Sequence, residues 1–214
     1  MSCSFDLAHY RELLEAARAG GYRFAGFEGA PTDGTLILRH DVDLSLDAAL
    51  QMAELEHAAG ASATYFLMTE SVFYNLDSTE GVAAIASLHE LGHRVALHAV
   101  YPNAPEDDRF DPVVAWHNPD PEYMRAPLPD GRINVMQDPW FDPATYRSDS
   151  NQHWRSGCPH DELRAGSFAW LQLLTHPEIW VYEGETMGQT MRSMLEAEND
   201  RRLEQLRADR IDLS

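Results

Sequence analysis

The sequence is poor in cysteine, in basic residues and in long apolar runs, and each shortage removes a class of function. Cys3 and Cys158 are its two cysteines. Far apart and in no metal-type spacing, they build no disulfide framework and give no argument for an oxidising compartment. Lysine and arginine together number 16 against 35 aspartates and glutamates, a formal net charge of −19. Such a field repels phosphate backbones, so no nucleic-acid partner is expected, and it matches an anionic membrane surface poorly. No stretch approaches the ~20 consecutive apolar residues of a membrane span. The segment Met1 to Ala8 has neither the basic start nor the apolar run of a signal peptide. The expectation is a cytoplasmic protein without membrane insertion.

What is present describes a globular chain. Its 214 residues, 44% of them hydrophobic, suffice for one well-buried core and are few for two domains. Five tryptophans and eight tyrosines are read first as core and rim packing and second as sugar platforms.

Periodicity predicts alternating helices and strands. Asp6 stands as N-cap to a helix over Leu7 to Ala19, with Leu7, Tyr10, Leu14 and Ala17 in one stripe and Gly20-Gly21 as its stop. A strand from Thr35 to His40 follows the turn Pro31-Thr32-Asp33-Gly34, and Ser45 caps a second helix ended by Gly60. Ala63 to Met68 reads as a strand, Gly81 to Leu91 as a helix and Arg94 to Val100 as the next strand. Strands at roughly 30-residue intervals with helices between them imply βαβ units and a parallel sheet. After the Pro- and Asp-rich loop from Pro102 to Pro112, shorter apolar runs follow at Val113 to Trp116, Ile133 to Met136, Tyr146 to Ser148 and Leu171 to Thr175. About seven strands would suffice to close a barrel. Residues 1–185 are therefore assigned to a (β/α) barrel domain. Residues 186–214 are assigned to a C-terminal helical extension, whose Met187, Met191, Met194, Leu195 stripe packs on the barrel or, failing that, on a homodimer partner.

Chemistry-bearing residues gather at predicted strand ends. His40-Asp41-Val42-Asp43 ends one strand, and His98, His117, Asp149-Ser150-Asn151 and His176 end or follow four others. In a parallel α/β barrel the strand C-termini form one rim, so these positions meet in one place. Asp41 and Asp43, two apart in extended backbone and roughly 7 Å between Cα atoms, share a face. One is expected to hold a divalent cation and the other to take a proton from a water which that cation acidifies. The alternative for Asp43 is an Asx turn before the Ser45 helix. His98 alternates with Val95 and Leu97 and is a natural zinc ligand, while His93 at the strand's start is structural.

The segments Leu38-Arg39-His40-Asp41-Val42-Asp43, Gly92-His93-Arg94-Val95-Ala96-Leu97-His98 and Leu174-Thr175-His176 resemble the polysaccharide deacetylase (NodB-homology, carbohydrate esterase) superfamily. With His117-Asn118-Pro119, Asp149-Ser150-Asn151, Trp154, His176-Pro177 and Trp180, the chain looks like a short bacterial branch found with surface-polysaccharide synthesis. The resemblance runs from about residue 7 to residue 182. It implies a distorted seven-stranded (β/α) barrel and metal-dependent removal of acetyl groups from an N-acetylated sugar or glycan precursor. It further implies Asp41 as general base, Asp43 and His98 as metal ligands, His176 as general acid and Asp149 as the carboxylate that tunes the catalytic pair. His40, Asn151 and Trp154 are the substrate-binding candidates, Trp154 as a pocket wall.

Two departures stand out. The superfamily's second ligand histidine, four residues after the first, is Pro102 here, and its Arg-x-Pro-Tyr motif is absent, with Arg125-Ala126-Pro127-Leu128 a weak substitute. His117 is the first candidate for the third ligand, ahead of His153 and His176, and zinc the first candidate for the metal. A degenerate barrel that binds sugar or a glycan-assembly partner without hydrolysis is the alternative.

Overall fold

A computed structural model describes residues 3–212. In chain order its elements are α1 (Leu7–Ala19), β1 (Arg23–Ala25), β2 (Thr35–Val42), α2 (Leu46–Ala58), β3 (Thr64–Leu67), α3 (Thr79–Glu90) and β4 (Arg94–Ala99). There follow β5 (Asp111–Trp116), β6 (Ile133–Asn134), β7 (Tyr146–Ser148), α4 (His160–Arg164), β8 (Trp170–Thr175), α5 (Pro177–Val181) and α6 (Met187–Ala208). The first helices begin where capping chemistry requires: Asp6 accepts from His9 N, Ser45 from Ala48 N and Ser78 from Gly81 N.

Every strand pairing is parallel, and the order β6-β5-β4-β3-β2-β8-β7 curls into a half barrel. The short β1 takes the edge of β2 over Thr35–Ile37, and β3 takes that edge over from Arg39 to Val42. The sequence reading missed β1, α4 and α5. It also drew β6 too long, since Met136 lies beyond a two-residue strand. Pairing among the described residues leaves β6 and β7 as free ends, so the barrel is not closed.

Period-2 alternation sorts the side chains into two layers. Outward-facing Leu36, Leu38, Val42, Tyr65, Leu67, Val95, Leu171 and Leu173 join the helices in the larger core. Inward-facing Ile37, Phe66, Ala96, Val113 and Ala115 form a second core with Trp140 and Phe141. One irregularity interrupts the register: Ala96 pairs with Asp111 but Leu97 with Val114, so β5 carries two more residues than β4 at that point.

The outer layer holds a buried polar knot. Glu56 of α2, 0% exposed, accepts from Tyr10 and Tyr65 hydroxyls and pairs with His40 Nε2 at 2.7 Å. His40 Nδ1 meets Thr175 Oγ1 at 2.7 Å. Burial pushes the Glu56 carboxyl up, but His40 and His93 outweigh it and hold the group below its ordinary value.

The terminal helix α6 buries only Thr190 and Met194, and Leu195 of the expected stripe is 52% exposed. It leans on α5 and reaches α2 through Glu198–Ser45 and Arg201–Asp47 contacts. No helix among the described residues is long and apolar enough to cross a membrane.

Candidate functional site

Because all strands run the same way, their C-terminal ends share one rim, and the inward parity decides which residues look into it. On β2 and its extension the inward set is Arg39, Asp41 and Asp43; on β4 it is His98; past β5 it is His117; past β8 it is His176.

Asp43 Oδ1, His98 Nε2 and His117 Nδ1 form a nearly equilateral triangle with edges of 3.0, 3.1 and 3.0 Å. Donor atoms ~2.0–2.2 Å from one cation lie ~2.9 Å apart at right angles and ~3.4 Å apart in a tetrahedron. The three are thus spaced as one face of either polyhedron, and they meet the spacing for a metal-holding group. His98 Nδ1 donates to Ala115 O at 3.0 Å, which fixes the ring and turns Nε2 toward the triangle. The triangle favours positive charge. Burial pushes the Asp43 carboxyl up, but hydrogen bonds from His117 and His98 hold it well below the usual carboxylate range. The bond to Asp43 raises the His117 imidazole against its burial.

Asp41 is held differently. Arg39 Nε and Nη2 donate to its two oxygens at 2.8 and 2.7 Å, a bidentate clamp in the interior. Burial pushes the Asp41 carboxyl up, and Arg39, joined by His98 and His176, more than offsets it, leaving the group below its ordinary value. Its Oδ2 is 3.8 Å from His98 Nε2. Arg39 was not singled out in the sequence, although it shares the inward parity of Asp41 and Asp43.

His176 Nδ1 bonds Asp149 Oδ1 at 2.6 Å, and Asp149 Oδ2 accepts from His176 N and from Trp180 Nε1 at 3.0 and 2.7 Å. The carboxylate, 0% exposed, is filled by these donors and fixes the ring with Nε2 free of it. Burial lowers the His176 imidazole, but Asp149, with Asp41 and Asp43 behind it, pushes it up to about 10. A raised folded pKa contributes stability that is complete below the unfolded value and lost as pH rises through about 10. In metal-free Asp149→Asn protein the His176 titration should fall by about 1–3 pH units, read from its ring proton shifts. An unchanged titration would remove Asp149 from that role.

Two further residues escaped the sequence reading. Tyr74 donates to Val42 O and accepts from Met68 N, pinning the loop after β3 to the end of β2. Glu178, in the first turn of α5, is 1% exposed and its Oε2 has no hydrogen-bond partner among the described residues. Burial, opposed by His176 and aided by Asp43, pushes its carboxyl up to about 8. Its only sequence signal is its place two residues after His176.

Of the three substrate-binding expectations, His40 and Trp154 are buried away from the rim and Asn151 is exposed. His40 faces the outer layer, 0% exposed, and is spent on Glu56 and Thr175, because it lies one residue out of phase with Asp41. Trp154 is 6% exposed and packs with Phe5 and Trp180 behind Asp149, so it walls a core and not the rim. Asn151 is exposed with φ +58° in a tight turn, and it takes no part in the rim's hydrogen bonds. His153 is exposed and lies outside the triangle.

The rim opens to solvent through Asp43, His176 and His117, whose side chains are 18, 14 and 27% exposed. A groove of about 730 Å³ runs between α6, the start of α2 and the Phe73–Ser78 loop. It abuts Asp43 through Leu44 and Ser45 but is lined by none of the triangle residues.

Fold and rim together define an α/β protein with a curled parallel sheet and a candidate metal centre at its strand ends. Compared with protein-family models, curated proteins and solved structures, the chain matches none of them.

Proposed function

We propose that the chain is a metal-dependent hydrolase that removes the acetyl group from an N-acetylated sugar or glycan precursor. The observation that carries this reading is the Asp43–His98–His117 triangle beside a clamped Asp41 and an Asp149-held His176. Two imidazoles and a carboxylate suit zinc first and iron, cobalt or nickel as well. A divalent cation there would supply Lewis-acid polarisation of the acyl carbonyl and of a water.

The protein's own groups divide the remaining work. Asp41 stays ionised at neutral pH and takes the proton of the attacking water, though the Arg39 clamp makes it a weak base. His176 stays protonated at neutral pH and donates from Nε2 to the departing nitrogen, its Nδ1 being committed to Asp149. On this reading the half barrel is of the NodB type, supported by the order of its motifs, with His117 taking the place of the histidine missing at Pro102.

The test is acetate release from a panel of N-acetylated sugars by zinc-loaded protein. His176→Gln should keep its metal and lose at least about 100-fold in rate. Asp41→Asn should lose as much, and it should also melt lower, because Arg39 is left buried beside a neutral partner. Near-normal acetate release by His176→Gln would remove the acid from the mechanism. Sugar binding without any release would favour the non-hydrolytic barrel.

A further inference from the structure

Cys3 and Cys158, remote in sequence, meet beside His9 in the first turn of α1. The sulfur atoms of both and Nε2 of His9 all lie within 4.8 Å of one another. His9 Nε2 is 3.2 Å from Cys158 Sγ, and Trp154 Nε1 donates to Cys3 Sγ at 3.1 Å. His9 Nδ1 bonds Glu12 Oε2 at 2.8 Å. That carboxylate fixes the ring so that Nε2 points its lone pair at the sulfurs, the orientation seen where a carboxylate backs a metal-bound histidine. An indole N–H aimed at a sulfur is likewise a support for a thiolate ligand. A further imidazole, His160, has its ring centroid 6.0 Å from that of His9.

We propose that Cys3, His9 and Cys158 bind a second metal ion of the soft, tetrahedral kind, zinc above all. Sulfur–sulfur and sulfur–nitrogen separations around zinc are ~3.5–3.8 Å, given bonds of ~2.3 and ~2.0 Å, which the cluster's span accommodates. A disulfide between the same two cysteines would use neither the imidazole nor its Glu12 support; a metal uses both. Hard cations are excluded by the two thiols.

The ion would act as a clip. It would fasten the N-terminal segment and the first turn of α1 to the loop ahead of α4, elements that already pack together. The His9 ring stacks on Trp180 with centroids 6.4 Å apart, Phe5 stacks on Trp154 and meets Trp180 edge-on, and Trp180 bonds Asp149. The clip therefore braces the back of the Asp149–His176 pair and stands apart from the Asp43 triangle. It does not depend on the deacetylase reading.

Cobalt(II) titration of the full chain, purified under reductant, tests the site. Binding should produce the near-ultraviolet charge-transfer absorption that only thiolate ligands give, and added zinc should displace it. The band should persist in Asp43→Asn and vanish in both Cys3→Ser and Cys158→Ser, whose folding is checked by circular dichroism. Zinc should raise the melting temperature of Asp43→Asn by several degrees and leave Asp43→Asn/Cys158→Ser unmoved. A full-strength band in Cys158→Ser, no band in the parent chain, or closure of the two thiols to a disulfide in air despite excess zinc would each overturn the proposal.

Discussion

Asp43→Asn is expected to weaken zinc at the strand-end triangle by more than about 100-fold, since even residues that only support a ligand cost 10–100-fold. Asp43 Oδ1 is the one anionic donor, 3.0 Å from both imidazole nitrogens, and asparagine keeps its shape while removing the charge that draws the cation. His98→Ala should do the same, because it removes one of the three donor atoms, a ring that the Ala115 carbonyl holds in place. The measurement is calorimetric zinc titration in a Cys3→Ser/Cys158→Ser background, which isolates the triangle. If the deacetylase reading holds, acetate release falls in proportion. Equal zinc affinity in the parent and Asp43→Asn proteins would dissolve the candidate centre.

The largest effect on stability is expected at Glu56, in the polar knot of the outer layer. Glu56→Ala would leave His40 and the hydroxyls of Tyr10 and Tyr65 buried without their shared acceptor. Breaking such a buried charged knot costs about 3–5 kcal/mol. For a chain of this size that lowers the melting temperature by about 6–20 °C. Glu56→Gln, which keeps a carbonyl acceptor, should fall between. The pH dependence has a fixed sign. The folded carboxyl sits below its ordinary value, so its contribution is full above the unfolded pKa of ~4.3 and is lost as pH falls through the folded one. Parent and variant should therefore converge in stability under acid. A constant gap down to low pH would show that Glu56 is not ionised in the fold.

The legible parts of the fold were those where a local rule and the tertiary structure agree. The helix at Leu7–Ala19 has a cap, a stripe and a glycine stop, and it forms with those bounds. Strand β1 was not legible because Arg23–Ala25 is too short to show alternation and is set in place by pairing with Thr35–Ile37. At the site, parity in β2 was the strongest clue. It placed Asp41 and Asp43 together, and applied one residue back it would have sent His40 outward and brought Arg39 inward. Glu56 was equally readable, lying seven residues after Ala49 on the buried stripe of α2. Trp154 could not be read correctly, since which side of Asp149 it packs on depends on Phe5 and Trp180 from other segments.

The two extra residues of β5 opposite Ala96–Leu97 act as a spacer for the Asp43–His98–His117 triangle. Strand residues advance ~3.3 Å each, so an unbroken ladder would carry His117 some 6–7 Å past its present height. An even-numbered insertion also keeps its side chain on the concave face, where an odd one would turn it to the helices. The bulge thereby brings His117 level with His98 and Asp43. Removing the two residues would therefore separate His117 from Asp43 and His98 while leaving that pair together.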